Sequence, residues 1–199
     1  WMLKYLNYPI SIYKNTISIV GKKAITAKDI EIPSDISSAA FLIVAALIKK
    51  NSNVVLKSIG VNPLRTGIID VLVNMGADIK IINNRTICNE PVADILVKSS
   101  VLKPIELSGN IISRLIDELP ILFIACACCK GTSVIKDIEE LRHKESDRIK
   151  SMEEGLKAIG IDVNSTEDSI EITGGKISGG KIKSYGDYRI AMSFAIAGL

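Results

Sequence analysis

A repeated series of helix starts and strands is the feature that most constrains how this chain can fold. Three segments each begin with an aspartate that leads into small and apolar residues and reaches a phenylalanine six or seven positions later. An aspartate before an apolar run is a typical helix N-cap, so the pattern predicts three helix starts. The segments begin at Asp35, Asp117 and Asp187 and reach Phe41, Phe123 and Phe194.

The residues that follow the first two helix starts match each other in order, at a period of roughly 80 residues. Each helix is followed by a strand-like run, a second helix that ends at a glycine, and two more strand-like runs. The pattern predicts a repeated β-α-β-α-β-β unit and therefore an α/β (α+β) fold. The predicted strands cover residues 53–56, 77–79 and 94–98 and then 133–135, 161–163 and 169–172; the second helices cover residues 65–76 and 146–160.

The repeat also has a consequence for charge. The N-terminus of a helix presents unpaired N–H groups and a partial positive charge. If the three helices run roughly parallel, their N-termini lie on one side of the domain and together form a surface that attracts anions. We therefore expect residues near the three helix starts to line one cleft.

The composition argues against several classes of function. The 25 basic and 22 acidic residues give a net charge of +3 without a long basic run, so no nucleic-acid partner is expected. No apolar stretch is long enough to predict a membrane span. With a single histidine, the four cysteines predict no metal site. Three of them, Cys126, Cys128 and Cys129, are predicted to be small buried thiols in a helix, reduced as in a cytosolic protein.

The charged stretch from Glu139 to Arg148 lies between a predicted strand and a predicted helix, where α/β proteins place ligand sites. Lys144 and Arg148 are four residues apart and would share one face of a continuous helix, with Glu145 three residues before Arg148. Two cations and a carboxylate at a helix start can bind an anion and move a proton. The alternative is a solvated, capped helix start without a ligand.

The other helix starts carry two more candidates. Asp117 is predicted to be an N-cap, and capping alone is the alternative to a catalytic role. Arg189, at the third helix start, can bind a carboxylate or phosphate, or it is a surface residue without a ligand. His143, the only histidine, stands between two cations that disfavour its charged form, so we interpret it as a bystander.

Taken together, these stretches resemble the 5-enolpyruvylshikimate-3-phosphate synthase family, also called the 3-phosphoshikimate 1-carboxyvinyltransferases. They occur in the family's order and at family-like spacing over nearly the whole chain. The two most specific are the Lys-Glu-Ser-Asp-Arg and the Asp-x-Arg-Ile-Ala-Met stretches. The matching segments are residues 33–41, 62–67, 116–120, 140–148 and 187–192.

The resemblance implies the enolpyruvyl transferase fold, in which two domains, each of three β-α-β-α-β-β units, close on the substrates between them. The chain would cross between domains near Pro33. Residues 1–33 would be the tail of the other, mostly absent domain, and residues 34–199 would be an incomplete enolpyruvyl transferase domain. We therefore expect the chain to be part of a longer protein, which the uncapped apolar run ending at Leu199 also favours.

The resemblance also implies a reaction. The family transfers the enolpyruvyl group of phosphoenolpyruvate to the 5-hydroxyl of shikimate 3-phosphate and releases phosphate, in chorismate and aromatic amino acid biosynthesis, without a metal or organic cofactor. Asp117 matches the carboxylate that removes the hydroxyl proton, and Lys144 matches a lysine at that substrate. Glu145 matches the proton donor to the methylene carbon of phosphoenolpyruvate. Arg148 and Arg189 match the arginines that hold the phosphoenolpyruvate anion.

The chain departs from the family pattern at Tyr188, where the family has histidine, and a phenol cannot carry the charge of an imidazolium. The family's N-terminal Lys-Ser…Arg motif, its Ser-Ala-Gln stretch and a late C-terminal lysine are not in the sequence. The missing N-terminal domain would be needed to complete the site, so we expect the chain alone to be inactive. Two other interpretations stay open: a UDP-N-acetylglucosamine enolpyruvyl transferase, with the same fold and enol donor, and a non-catalytic remnant of a truncated gene.

Overall fold

The computed structural model describes all 199 residues as a mixture of α-helices and antiparallel-rich sheets. Short 3-10 turns lie at Gly109–Arg114, Ile116–Glu118 and Glu139–His143. The helices are α1 (Met2–Tyr5), α2 (Ile36–Ile48), α3 (Gly67–Asn74), α4 (Leu119–Ala127), α5 (Arg148–Ala158) and α6 (Tyr188–Ala197). The strands are β1 (Ile10–Tyr13), β2 (Thr16–Ile19), β3 (Asn53–Gly60), β4 (Asp78–Ile87), β5 (Glu90–Lys98), β6 (Glu106–Leu107), β7 (Gly131–Ile135), β8 (Asp162–Ser165) and β9 (Ile170–Gly174).

The repeated β-α-β-α-β-β unit is confirmed by the sheet topology. The second copy is a four-stranded sheet of order β6-β7-β9-β8, and the first is a three-stranded sheet of order β3-β5-β4. In the second copy β6 pairs with β7 in parallel. In the first, Ser34 makes an isolated parallel bridge to Ile59 of β3, so a single residue stands where the second copy has its leading strand.

Helices α2, α4 and α6 pack side by side with their N-termini at the same end, as predicted. At that end Ser37 of α2 and Glu118, which immediately precedes α4, line the same small cavity. There too, Arg189 of α6 donates a hydrogen bond to the carbonyl oxygen of Asp117. At the other end, the C-termini of the three helices line one cavity of about 530 Å³. Every residue of α4 is buried, so this helix is the centre of the core.

The predicted caps are present at two of the three helix starts. The side chain of Asp35 accepts a hydrogen bond from the backbone N–H of Ser38, and that of Asp187 accepts one from Arg189. The prediction for Asp117 is wrong, because this residue lies in a 3-10 turn and α4 begins two residues later without a side-chain cap. Pro120 occupies the first turn of α4 and has no N–H, which removes one of the donors that a cap would serve.

The cysteine prediction, buried thiols in a helix, is right for Cys126, whereas Cys129 is buried but follows the end of α4. Cys126 and Cys129 are buried, and burial raises the pKa of Cys126 to about 12, so neither its exposure nor its acidity favours reaction. Cys128 is exposed, because α4 ends at Ala127 and the chain turns there toward β7.

Residues 1–33 contribute no buried side chain to this structure. They form α1 and an antiparallel hairpin of β1 and β2, in which both faces are largely exposed. A two-stranded hairpin of this kind is marginal by itself in water. The assignment of these residues to the tail of another domain stays a prediction. None of the helices is long and apolar enough to span a membrane.

Gly174 at the end of β9 packs directly against the end of α4. A Cβ added there would overlap the backbone carbonyl oxygens of Cys129 and Cys126. Because backbone atoms of two packed elements cannot move aside cheaply, we expect Gly174→Ala to lower the free energy of unfolding by about 2–3 kcal/mol. Urea unfolding followed by circular dichroism measures this loss.

Gly175→Ala is the matched control, because a Cβ at this neighbouring residue would meet no atom within 4 Å. It should change the free energy of unfolding by less than about 0.5 kcal/mol. Equal losses for the two variants would contradict the packing explanation.

Candidate functional site

A cluster of charged side chains forms where the N-terminal ends of α5 and α6 meet the 3-10 turn that precedes α4. It contains all five residues that the sequence analysis proposed as a site, although they come from three separated stretches of the chain. Direct contacts join all five into one group. The five are Asp117, Lys144, Glu145, Arg148 and Arg189.

The buried ion pair between Arg148 and Asp187 is the foundation of this cluster. The Arg148 side chain is 1% exposed and that of Asp187 is 0% exposed. Arg148 Nε donates a hydrogen bond of 2.8 Å to Asp187 Oδ2. The same carboxylate accepts hydrogen bonds from the Ser146 hydroxyl at 3.1 Å and from the backbone N–H of Arg189 at 2.9 Å. Asp187 therefore caps α6 and holds the buried guanidinium at the same time.

The two partners shift each other's proton affinity. Burial alone would raise the pKa of Asp187, but the hydrogen bond from Arg148, the Arg189 N–H and the guanidinium charge together hold it below its ordinary value. Burial alone would lower the pKa of Arg148, but the hydrogen bond and charge of Asp187, with Glu145 and Asp117, raise it. Both groups therefore stay ionised at neutral pH.

Asp117 stands at the centre of three cations. Its carboxylate oxygens lie 3.5 Å from Arg148 Nη1, 3.7 Å from Arg189 Nη2 and 4.0 Å from Lys144 Nζ. The Asp117 side chain is 41% exposed. A partly exposed carboxylate that is oriented by three fixed cations can accept a proton from a bound hydroxyl group. The cations around it suit an anionic ligand.

Lys144 and Glu145 lie in an extended linker between a 3-10 turn and α5. Lys144 terminates the 3-10 turn in an extended conformation, and α5 begins only at Arg148, capped by Asp147. Lys144 and Arg148 therefore do not share a helix face, because the Asp147 cap starts α5 after Lys144. Lys144 and Arg148 still both reach the carboxylate of Asp117. Glu145 Oε2 accepts a hydrogen bond of 2.5 Å from Arg148 Nη2.

Two further residues of the sequence analysis lie at the edge of the cluster. Tyr188 is exposed, and its ring centroid lies 5.1 Å from the Arg189 guanidinium carbon, a cation–π contact. His143 is exposed and belongs to the 3-10 turn before Lys144. The contact of Tyr188 with Arg189 keeps an aromatic ring beside the cationic cluster.

Sequence reasoning missed the supporting residues of this site. It treated Asp187 as a helix start only, and its bond to Arg148 spans 39 residues of sequence. It also missed Glu118, which is buried and whose pKa is raised, chiefly by burial. The one local signal was that an N-cap aspartate stood beside an arginine in the Asp-x-Arg stretch. No cluster of three or more histidine, cysteine or acidic side chains is arranged to hold a metal ion.

Comparisons with known proteins show what the chain is similar to. The family model described as EPSP synthase (3-phosphoshikimate 1-carboxyvinyltransferase) matches residues 1–199. A 3-phosphoshikimate 1-carboxyvinyltransferase of Petrotoga mobilis is 52% identical over 201 residues, which cover 100% of this chain and 46% of that protein. One of Geotalea uraniireducens is 48% identical over 199 residues, with the same coverage. The chain thus spans about half the length of the relatives that it matches.

Solved structures show the same relationship. The structure of EPSP synthase from Acinetobacter baumannii matches with a TM-score of 0.94 and 47% identity, over 100% of this chain and 46% of that one. An enolpyruvyl transferase, NikO, from Streptomyces tendae matches with a TM-score of 0.65 and 15% identity, over 99% of this chain and 44% of that one. The second similarity is one of fold alone.

The ion pair of Arg148 and Asp187 can be tested against an exposed counterpart. Asp187→Asn keeps an N-cap side chain but leaves the buried guanidinium without its charge partner, so we expect a loss of about 3 kcal/mol in the free energy of unfolding. Asp35→Asn is the matched control, because Asp35 also caps a helix and pairs with Arg65, but with side chains that are 42% and 55% exposed. The control should lose less than about 1 kcal/mol. Similar losses for both variants would contradict a larger contribution of the buried pair to stability.

The same pair predicts a pH dependence of stability. The pKa of Asp187 is lower in the folded protein than in the unfolded chain. Its contribution to the free energy of unfolding is therefore fully present above the ordinary aspartate pKa, about 3.9, and is lost as pH falls through the pKa of the folded state. The difference in free energy of unfolding between the wild type and Asp187→Asn should therefore shrink as pH falls below about 4. Denaturant unfolding at a series of acidic pH values measures it. A difference that stays constant would contradict the linkage.

Proposed function

The chain belongs to the EPSP synthase (3-phosphoshikimate 1-carboxyvinyltransferase) family, and from that premise we propose that the protein of which it forms about half transfers the enolpyruvyl group of phosphoenolpyruvate to the 5-hydroxyl of shikimate 3-phosphate and releases phosphate. The observation that carries the proposal is the Asp117 carboxylate, oriented between Lys144, Arg148 and Arg189. Such a carboxylate can act as a base while the cations hold two anionic substrates.

Each charged group has a place in the proposed reaction. Asp117 removes the proton of the 5-hydroxyl, and the hydroxyl oxygen forms a bond to the enol carbon of phosphoenolpyruvate. Glu145 gives a proton to the methylene carbon, which becomes a methyl group. The tetrahedral adduct then loses a proton from that methyl group and expels phosphate, which restores the carbon–carbon double bond in the product. Lys144 binds shikimate 3-phosphate, and Arg148 and Arg189 bind phosphoenolpyruvate.

The exposure of the reactive groups supports a site that is completed by another domain. The side chains of Asp117 and Glu145 are 41% and 58% exposed. An ion pair at such exposure contributes about 1 kcal/mol or less, because water screens it. A second domain that closes over the cluster would exclude this water and strengthen the same contacts. We propose that residues 1–33 are the tail of that domain, that residues 34–199 are part of the domain that carries the cluster, and that the protein is cytoplasmic.

The names of the relatives favour shikimate 3-phosphate over a UDP-sugar as acceptor. The first relatives are all 3-phosphoshikimate 1-carboxyvinyltransferases at 46–52% identity. The proposal requires no metal, organic cofactor, nucleic acid or membrane. Its substrates are the two small anions, and the remaining part of the protein is the one partner that the site needs.

Phosphate release from phosphoenolpyruvate and shikimate 3-phosphate tests the proposal. We expect the chain alone to release no measurable phosphate and the complete protein to release it. In the complete protein, Asp117→Asn should lower kcat by roughly 10²- to 10⁴-fold, the usual contribution of a general base. Asp78→Asn, at the exposed start of β4, is the control and should leave kcat unchanged.

Activity of the chain alone would contradict the two-domain site, and an unchanged kcat in Asp117→Asn would contradict the role of Asp117. If the complete protein is inactive, Tyr188→His tests whether the departure from the family's histidine is the cause. Restored activity would then assign the defect to Tyr188. Continued inactivity would contradict the proposed reaction.

A further inference from the structure

Every cation of the charged cluster already has a carboxylate partner. Lys144 Nζ lies 2.5 Å from Glu140 Oε1. Arg189 pairs with Asp117, and the Arg148 guanidinium meets three carboxylates. An anion that enters this cluster therefore finds no unpaired cation, so it must exchange with a carboxylate that is already bound.

The carboxylate partners of Arg148 differ in how easily they can leave. Asp187 is 0% exposed and caps α6, so its departure would leave the guanidinium buried without a partner. Asp117 is held by cations from two other elements. Glu145 is 58% exposed, and it precedes the N-cap residue Asp147, so it lies outside the hydrogen-bonded body of α5. Of the three, Glu145 can turn away with the least disturbance of the fold.

From this arrangement we propose that Glu145 is an internal competitor for the anion site: its carboxylate occupies the Nη2 end of Arg148, and a substrate oxyanion binds by displacing it. The proposal rests on the function proposed above and adds a step to it. Binding of the anion and release of Glu145 from Arg148 become a single exchange of one oxyanion for another at the same guanidinium. The affinity for the anion is lowered by the strength of the bond that Glu145 gives up.

Sulfate is the probe for this exchange, because it is an oxyanion that does not titrate near neutral pH. Isothermal titration calorimetry gives the sulfate affinity of each variant. For Glu145→Gln we expect an affinity about fivefold higher than that of the wild type, the scale of a partly exposed ion pair.

Glu139→Gln is the matched control, because it removes the same charge from an exposed residue of the 3-10 turn that precedes Glu145. It should change the affinity for sulfate by less than about twofold. The titrations are made on this chain and on the complete protein, with the side-chain Nε–H resonance of Arg148 as the reporter of binding at the cluster.

Two results would overturn the proposal: an affinity of Glu145→Gln for sulfate no higher than that of Glu139→Gln, or no response of Arg148 to sulfate in Glu145→Gln. Because sulfate binding needs no turnover, these results are separate from the phosphate-release assay. If the complete protein releases phosphate but the sulfate titrations show no exchange, this inference alone is contradicted. If the exchange is seen but the complete protein releases no phosphate, the proposed reaction alone is contradicted.

Discussion

The Arg148 guanidinium is a full positive charge with a side chain that is 1% exposed, and the carboxylate of Asp187 makes that burial possible. Taking an isolated charge out of water costs several kcal/mol, which only a well-placed and hydrogen-bonded partner can offset. Asp187 offers both oxygens and is itself fixed as the N-cap of α6. The pair therefore locks the start of α6 to the start of α5, and the remaining charges of the cluster are arranged around it.

This lock explains how residues from separate repeat units reach one place. Asp117 precedes α4 of the second unit, while Arg189 begins α6, the first helix after that unit. Parallel packing of α2, α4 and α6 puts their N-termini at one end, and Arg189 then donates to the Asp117 carbonyl. Ser37, at the start of α2, lines one small cavity together with the adjacent Glu118. The convergence of helix starts that makes an anion-attracting surface is thus a result of the repeat itself.

The exposure of the cluster increases from the buried pair of Arg148 and Asp187 to the carboxylates of Asp117 and Glu145. Arg148 and Asp187 are buried, whereas the side chains of Asp117 and Glu145 are 41% and 58% exposed. The buried members fix the geometry before any ligand arrives, which limits the reorganisation that binding requires. For the proposed reaction, the exposed members need a cover that excludes water. A chain that spans about half the length of its relatives can therefore hold an ordered set of charged groups that another part of the protein is proposed to complete.

The sequence by itself determined the order of helices and strands along the repeat unit and the helix starts at Asp35 and Asp187, because caps, glycine ends and apolar periodicity act within a few residues of the chain. Only the tertiary structure decided that Asp117 is not a cap and that Lys144 and Arg148 are on separate elements. It also decided that Arg148 is buried against a carboxylate 39 residues away. Such a pairing depends on how α5 and α6 pack, and no rule of local spacing contains that information.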